Sequence, residues 1–280
     1  MITKLYRKLP IDLRNKIYKL FLGRLLQLIR QPQIVLEYFK DRENRKLLLS
    51  FLSLFKDKEG LEIGGGTFFF SIPKGFPVYQ YAKSIDGCNF STETIWEGDI
   101  NEKIFSYKGQ SLGAQFICEA TQVDKHIHKH YDFIISSNCL EHVANPLKAI
   151  KSWLQVLKDN GVMLIILPNK QSNFDNRRDY TSFSHLCEDY NNDVAEDDMT
   201  HFDEIVSLHD LKRDSIRNRE QFVERSKDNF KNRCFHHHVF SESLLIEIFR
   251  FFNINTLYSG KDFNNIYIVG IKNEIITKYN

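Results

Sequence analysis

Two uninterrupted apolar runs, YDFIISS at 131–137 and GVMLIIL at 161–167, flank the amphipathic segment NPLKAIKSWLQVLKDNG. Continuous apolar runs of this length suit strands covered on both faces, the usual condition of a parallel sheet. Two parallel neighbours need a crossover between them. The intervening segment predicts a helix, with Pro146 in its first turn and Gly161 just past its end. Shorter apolar runs at 60–64, 77–82, 114–120, 254–259 and 266–272 are further candidate strands. Strand and helix in alternation predict an α/β, doubly wound, mostly parallel sheet. Residues 169–240 break the rhythm: they are polar, rich in Asn, Asp, Arg and His, and follow the fifth strand. That is the sheet edge where such folds take their ligands, so an inserted lid or acceptor-binding region is expected there.

The N-terminal stretch has a different texture. Residues 1–50 carry twelve Lys/Arg against four Asp/Glu, whereas the whole chain is only +2. Leu13, Ile17, Leu20, Phe21, Leu25, Leu28 and Ile29 fall at helical spacing with a basic opposite face, and a second helix is expected over about 33–55. Residues 1–58 are thus read as a basic helical extension. It either caps the main domain or gives peripheral contact with an anionic membrane face. The five cysteines have no CxxC spacing and the start of the chain has no long uncharged run, so a soluble, cytoplasmic protein is expected.

The first candidate strand ends in LEIGGGT. Glycine lets backbone N–H groups approach a ligand, having no Cβ to hold it away. Neither a P-loop nor a dinucleotide fingerprint is present, since Gly64, Gly65 and Gly66 are followed by Thr67 and three phenylalanines. Glu62 would repel a phosphate and suits an amine-bearing ligand.

The stretch 131–170 adds Ser136-Ser137-Asn138, Leu140-Glu141-His142, Asn145-Pro146, Gly161 and Pro168 in order. This succession resembles the second half of class I S-adenosylmethionine-dependent methyltransferases, and the likeness extends over about 60–170 and the closing strands. It implies a Rossmann-like, seven-stranded transferase sheet over 59–168 and 241–273, with S-adenosyl-L-methionine as cofactor. Glu62 and Gly64–Gly66 would then hold the cofactor's amino-acid end. Asp86, with Asp99 as fallback, would bind the ribose; Glu119 and Ala120 the adenine; Ser137 and Asn138 the loop after the fourth strand. The chain departs from the family pattern at Phe68, where a further glycine is usual, and in a stretch too short for the first helix.

The insertion offers His201 and His209, then His236, His237 and His238, with Asp175, Arg177, Arg178 and His185 before them. The pattern resembles methyltransferases of surface-polysaccharide biosynthesis clusters. That resemblance implies O-methylation of a sugar, nucleotide-sugar or other phosphorylated glycan intermediate. A hydroxyl acceptor benefits from a general base near neutral pH. Candidate catalytic residues are His237, His209, His142 and Asp175, and candidate substrate-binding residues are Arg177, Arg178, His201 and His238. No metal site is predicted, because no zinc spacing is present, although a divalent ion is compatible with so many histidines. The competing readings are a binding or regulatory protein without turnover, transfer to an amine or phosphoryl-type oxygen, and a metal-dependent hydrolase. Nucleic acid is not expected as a partner, since no stacking platform accompanies the basic residues.

Overall fold

The structure, a computed structural model, describes residues 32–73 and 75–274. The helix expected over 10–30 and its basic face lie outside them. The chain divides between Glu43 and Asn44 into two units, of which the second holds every strand among the described residues. Helix α1 (Pro32–Ser50) runs into it and is continued by a 3-10 turn at Phe51–Leu54. Among the described residues no helix is long and apolar enough to cross a membrane.

The strands are β1 (Glu59–Ile63), β2 (Ser84–Asn89), β3 (Glu93–Thr94), β4 (Gly98–Asp99), β5 (Ile104–Tyr107), β6 (Gln110–Ile117), β7 (Tyr131–Ser137), β8 (Leu157–Pro168), β9 (Ile254–Lys261) and β10 (Asn265–Lys272). Eight of them form one sheet in the order β5-β6-β2-β1-β7-β8-β10-β9, and β3 and β4 pair separately as a hairpin. The five strands β6, β2, β1, β7 and β8 are mutually parallel, while β10 is antiparallel to β8 and β9. The fold is therefore the Rossmann-like doubly wound α/β sheet expected, with β5 added antiparallel at one edge.

Alternation along β7 and β8 explains why both runs are apolar. Ile134, Met163 and Ile165 face one core with Leu147, Ile150 and Trp153 of helix α3 (Pro146–Val156). Phe133, Ile135, Leu164 and Ile166 face the other, with Phe55, Phe70, Phe76 and Val78. Each fully buried side chain of this size contributes about 1.5–3 kcal/mol. Trp153, completely buried, also donates its indole N–H to Ala120 O at 2.8 Å, which ties helix α3 to the loop leaving β6.

Three boundaries differ from expectation. The second strand is 84–89, not 77–82. PVYQYA instead holds a 3-10 turn at Val78–Gln80, where Val78 and Tyr79 are buried with Phe76 in the second core. The third strand stops at Ile117, so Glu119 and Ala120 lie in a turn. Helix α3 ends at Val156 rather than before Gly161, and β8 begins at once, with a shift of register against β7 and Asn160 at φ 60.

The remaining helices are α2 (Val123–His126), α4 (Phe183–Asn191), α5 (Phe202–Leu208), α6 (Arg219–Lys227), α7 (Asn229–Asn232) and α8 (Glu242–Phe251). Residues 169–240 thus carry α4–α7 and no strand among the described residues. A small apolar group of Ile205, Phe222 and Phe235 packs α5 and α6 against the segment that follows α7, whereas Leu186 of α4 belongs to the first core.

Candidate active site

The carboxyl ends of the parallel strands open into a cavity of about 700 Å³, within the range of small-molecule sites. Its floor is the glycine turn after β1. Gly64 and Gly65 have φ of +97 and +87, which side chains rarely adopt. A Cβ on Gly65 would lie 1.7 Å from Glu97 Oε1, and one on Gly64 2.4 Å from the Cys139 Cβ. Glu62 is wholly buried, which pushes its carboxyl well above the usual range. Its Oε2 accepts from Tyr79 OH at 2.6 Å, and Tyr79 OH in turn accepts from Thr67 N at 2.7 Å. The carboxyl is thereby tied to the glycine turn, while its Oε1 is buried without a partner.

Asp86 is not at the cavity. It sits in mid-strand, held by Ala114 N at 2.9 Å, Tyr131 OH at 2.8 Å and Lys129 Nζ at 3.0 Å. The late start of β2 is the reason: its carboxyl end falls at Asn89, whose Nδ2 is buried and unpartnered. Asp99 is exposed on β4. The β3–β4 hairpin instead brings Glu97 over the glycine turn, and burial raises its carboxyl too. Glu119 and Ala120 line the cavity, as do Ser137 and Asn138. Glu119 is gripped by Arg233, at 2.7 and 3.3 Å, and the same guanidinium reaches Glu196 at 2.8 Å.

At the other end the cavity meets Glu141, His142 and His236, whose potential ligating atoms lie within 4.8 Å of one another. Both carboxyl oxygens of Glu141 are buried without a partner, and burial pushes its pKa up to about 7. His142 Nδ1 lies 2.7 Å from Phe235 O. A carbonyl only accepts, so the proton is on Nδ1 and the lone pair on Nε2. Burial and the neighbouring His236 hold that ring well below the usual histidine range. His236 Nδ1 lies 2.5 Å from Asp175 Oδ2. Burial alone would lower His236, but the Asp175 carboxylate outweighs it and raises the ring. Asp175, although buried, is held down at about 2 by His236 and Arg178. The exposed Trp96 stands with its ring centroid 5.2 Å from that of His142.

Other expected residues are placed elsewhere. His237 is buried against Asn229 Nδ2 at 3.2 Å, and burial lowers it to about 3. His209 is stacked between Phe174 and Phe222 and bonded to Asp214 at 2.8 Å. Neither ring reaches the cavity, because each fills the apolar interior of the insertion. Arg178 is a buried clamp: four of its five N–H groups bind Asp175, Glu204 and the carbonyls of His236 and His237, and it does not line the cavity. Arg177 is half exposed, 3.5 Å from Asp210, and does not line the cavity. His201 and His238 gather with His185 in a separate group. The residues that spacing did not single out are Asn89, Glu97, Glu141, Arg233 and His236. Glu141 stood in a recognised triplet and His236 one residue from the one chosen, whereas Glu97 and Arg233 carry no sequence signal at all.

The profile of a family described as methyltransferase domain matches residues 36–252. No curated protein sequence matches the chain. Similar solved structures include the N-methyltransferase NodS from Bradyrhizobium japonicum WM9, at 12% identity and TM-score 0.40, with 83% of this chain and 96% of that one covered. Its complex with S-adenosyl-L-homocysteine gives 13%, 0.40, 83% and 87%. A SAM-dependent methyltransferase from Aquifex aeolicus gives 10%, 0.40, 81% and 89%. Likenesses this distant say nothing of the acceptor.

Proposed function

The chain belongs to the methyltransferase-domain family, and we propose that it is an S-adenosylmethionine-dependent enzyme that methylates a hydroxyl of a polar, sugar-like small molecule with His236 as general base. The observation that carries this reading is the Asp175–His236 pair, whose ring borders the same cavity as the glycine turn.

The residues present fit the cofactor. Glu62 Oε1 and Asn89 Nδ2 are buried polar atoms without a protein partner beside a turn that tolerates no Cβ. Gly64–Gly66 and Glu62 would hold the amino-acid end, Asn89 and Glu97 the ribose, and Ala120, Ser137 and Asn138 the base. Glu119 would serve there as well, though shared with Arg233. Bound in this way, S-adenosylmethionine supplies a methyl group made electrophilic by its sulfonium.

The chain's own contribution is positioning and proton transfer. With its proton on Nδ1 toward Asp175, His236 presents a bare Nε2 that takes the acceptor's hydroxyl proton as the new bond to carbon forms. Asp175 stays ionised and steadies the imidazolium. Arg178 fixes both partners, being bonded to Asp175 and to the His236 carbonyl. Glu141, largely protonated below pH 7, and His142 Nε2 hydrogen-bond neighbouring hydroxyls. Trp96 offers a flat apolar face of the kind that sugar C–H groups stack on. A phosphate on the acceptor would find Arg213, which lines the cavity, rather than Arg177 or Arg178. The resemblance to polysaccharide-cluster enzymes supports a glycan or nucleotide-sugar acceptor. The basic N-terminal stretch adds nothing to this reading.

Transfer to an amine is the second reading, and Glu141 favours it: two unpartnered buried carboxyl oxygens suit an ammonium. Both readings meet in one experiment. His236→Ala is expected to lower turnover about 10²–10⁴-fold while S-adenosylhomocysteine binds as before, and Asp175→Asn to lower it less. A larger loss from Glu141→Gln than from His236→Ala would move the amine reading to first place. Unchanged turnover in His236→Ala would remove the base altogether.

A further inference from the structure

Away from the cavity, the insertion gathers a second set of histidines that methyl transfer does not use. His185 and Asp189 stand one turn apart on α4 and so share a face. His201 sits at the N-terminus of α5, and His238 on the extended segment leading to α8. His185 Nε2 lies 3.0 Å from His201 Nε2 and 3.4 Å from Asp189 Oδ2. His238 Nε2 lies 3.6 Å from the same carboxyl oxygen and donates its proton to Ala144 O at 3.1 Å, which leaves the ring's lone pair on Nδ1. The three rings form a near-equilateral triangle, with centroids 5.0, 5.7 and 5.7 Å apart.

We infer that His185, Asp189, His201 and His238 bind a zinc-type divalent metal ion as a closed, four-ligand structural site. Four ligands about 2.0–2.1 Å from a tetrahedral ion stand roughly 3.3 Å from one another. The contacts of 3.0 and 3.4 Å bracket that edge, and the ligating atoms of the three histidines lie within 4.8 Å of one another. Without a cation the group is poorly satisfied. Asp189 Oδ2 is buried and makes no hydrogen bond, and neither does the buried His238 Nδ1. A cation answers the converging lone pairs and the bare carboxylate together. The outer contacts fit as well: His201 Nδ1 faces Glu204 Oε2 at 3.3 Å. A carboxylate there keeps the proton on Nδ1 and turns Nε2 inward, as in many histidine-ligated metal sites. No CxxC or HxxxH spacing announces the set, because its four members come from three separate segments.

With four protein ligands the ion has no open position, so its role is to fasten rather than to react. It would pin α4, the start of α5 and the segment 233–240 to one point. His236, two residues before His238, would owe part of its placement to that point.

The test is metal analysis of the purified full-length protein and titration of its chelator-treated form with Zn²⁺ alone. About one zinc per chain is expected. It should be lost in a His185→Ala/His201→Ala variant and kept in a His142→Ala/His236→Ala variant. Glu204→Gln should retain the site but weaken it about 10- to 100-fold, a result that does not depend on the double variant folding. Substitution by Co²⁺ should give the intense visible absorption of a tetrahedral site. A protein that takes up no zinc at micromolar concentration overturns the inference. So does zinc that survives loss of His185 and His201 but departs with His142 and His236, or a weak octahedral Co²⁺ spectrum. Because metal content is read without turnover, these outcomes are independent of the acceptor chemistry.

Discussion

Gly65 combines φ of +87 with a Cβ position already taken by Glu97 Oε1, 1.7 Å away. Alanine there strains the backbone, at a cost of about 1–3 kcal/mol, and turns the Glu97 carboxyl away from the glycine turn. Gly65→Ala is therefore expected to weaken S-adenosylhomocysteine binding at least about tenfold, as read by calorimetric titration. Equal affinity would mean that the glycine turn is not the cofactor's cradle. That turn was visible in the sequence because three glycines in a row have few other uses. The general base was harder to see. His236, His237 and His238 are chemically identical neighbours, and the structure sends them to the cavity, to Asn229 and to the His185–His201 group respectively. What orients them is the Arg178 clamp on two of their carbonyls, a contact across 58 residues that spacing does not reveal. Asp86 failed for a related reason: a shift of one strand boundary moved it from the edge of the sheet to its middle.

Among the elements, β7, α3 and β8 were legible because each obeys a strong local rule: two-sided burial for the strands and a cap for the helix. Asn145 at the start of α3 accepts from Lys148 N at 3.0 Å. It is also fully buried, and its amide donates to Asp189 O at 3.0 Å. The cap thus joins the helix to α4, which carries two of the proposed metal ligands. Asn145→Ala removes a capping bond worth about 1 kcal/mol and leaves a buried carbonyl short of a donor, about 1–3 kcal/mol more. Urea denaturation should show a combined loss of about 2–4 kcal/mol. Asn145→Asp, which keeps the capping oxygen, should not recover the whole of it; full recovery would show that the bond to α4 is negligible. The stretch 77–82 was misread because its apolar residues serve packing rather than a strand. Val78 and Tyr79 look like part of a pleated run, yet they lie in a 3-10 turn buried in the core beside Phe76. Their alternation carries no information about backbone pairing.

For the molecule as a whole, the buried ionisable groups set the pH range of stability. In chelator-treated protein, burial holds His142, His237 and His238 below the ordinary histidine value, His237 at about 3. As pH falls below about 6.5 the unfolded chain takes protons that these rings refuse, so stability is lost on the acid side. Burial raises a set of carboxyls in the opposite sense: Glu97 and Asp189 upward, Glu62 well above its usual range, and Glu141 and Glu196 to about 7. The unfolded chain releases those protons near pH 4.5 while the fold keeps them, so stability is lost as pH rises from there through 7. Between about pH 4.5 and 6.5 the two sets act in opposite directions, and a plateau is expected. Below it the unfolded carboxyls are protonated too, and the histidines act unopposed at about 1.4 kcal/mol per proton and pH unit. Asp175, held at about 2, steepens that acid limb further. Above the plateau, Glu141→Gln should take about one proton from the neutral-side slope. Urea denaturation midpoints from pH 3.5 to 8 test this. Stability that instead climbs steadily from pH 5 to pH 8 would mean that these carboxyls are ionised in the fold. The cofactor pocket would then be a charged site rather than a buried, largely neutral one.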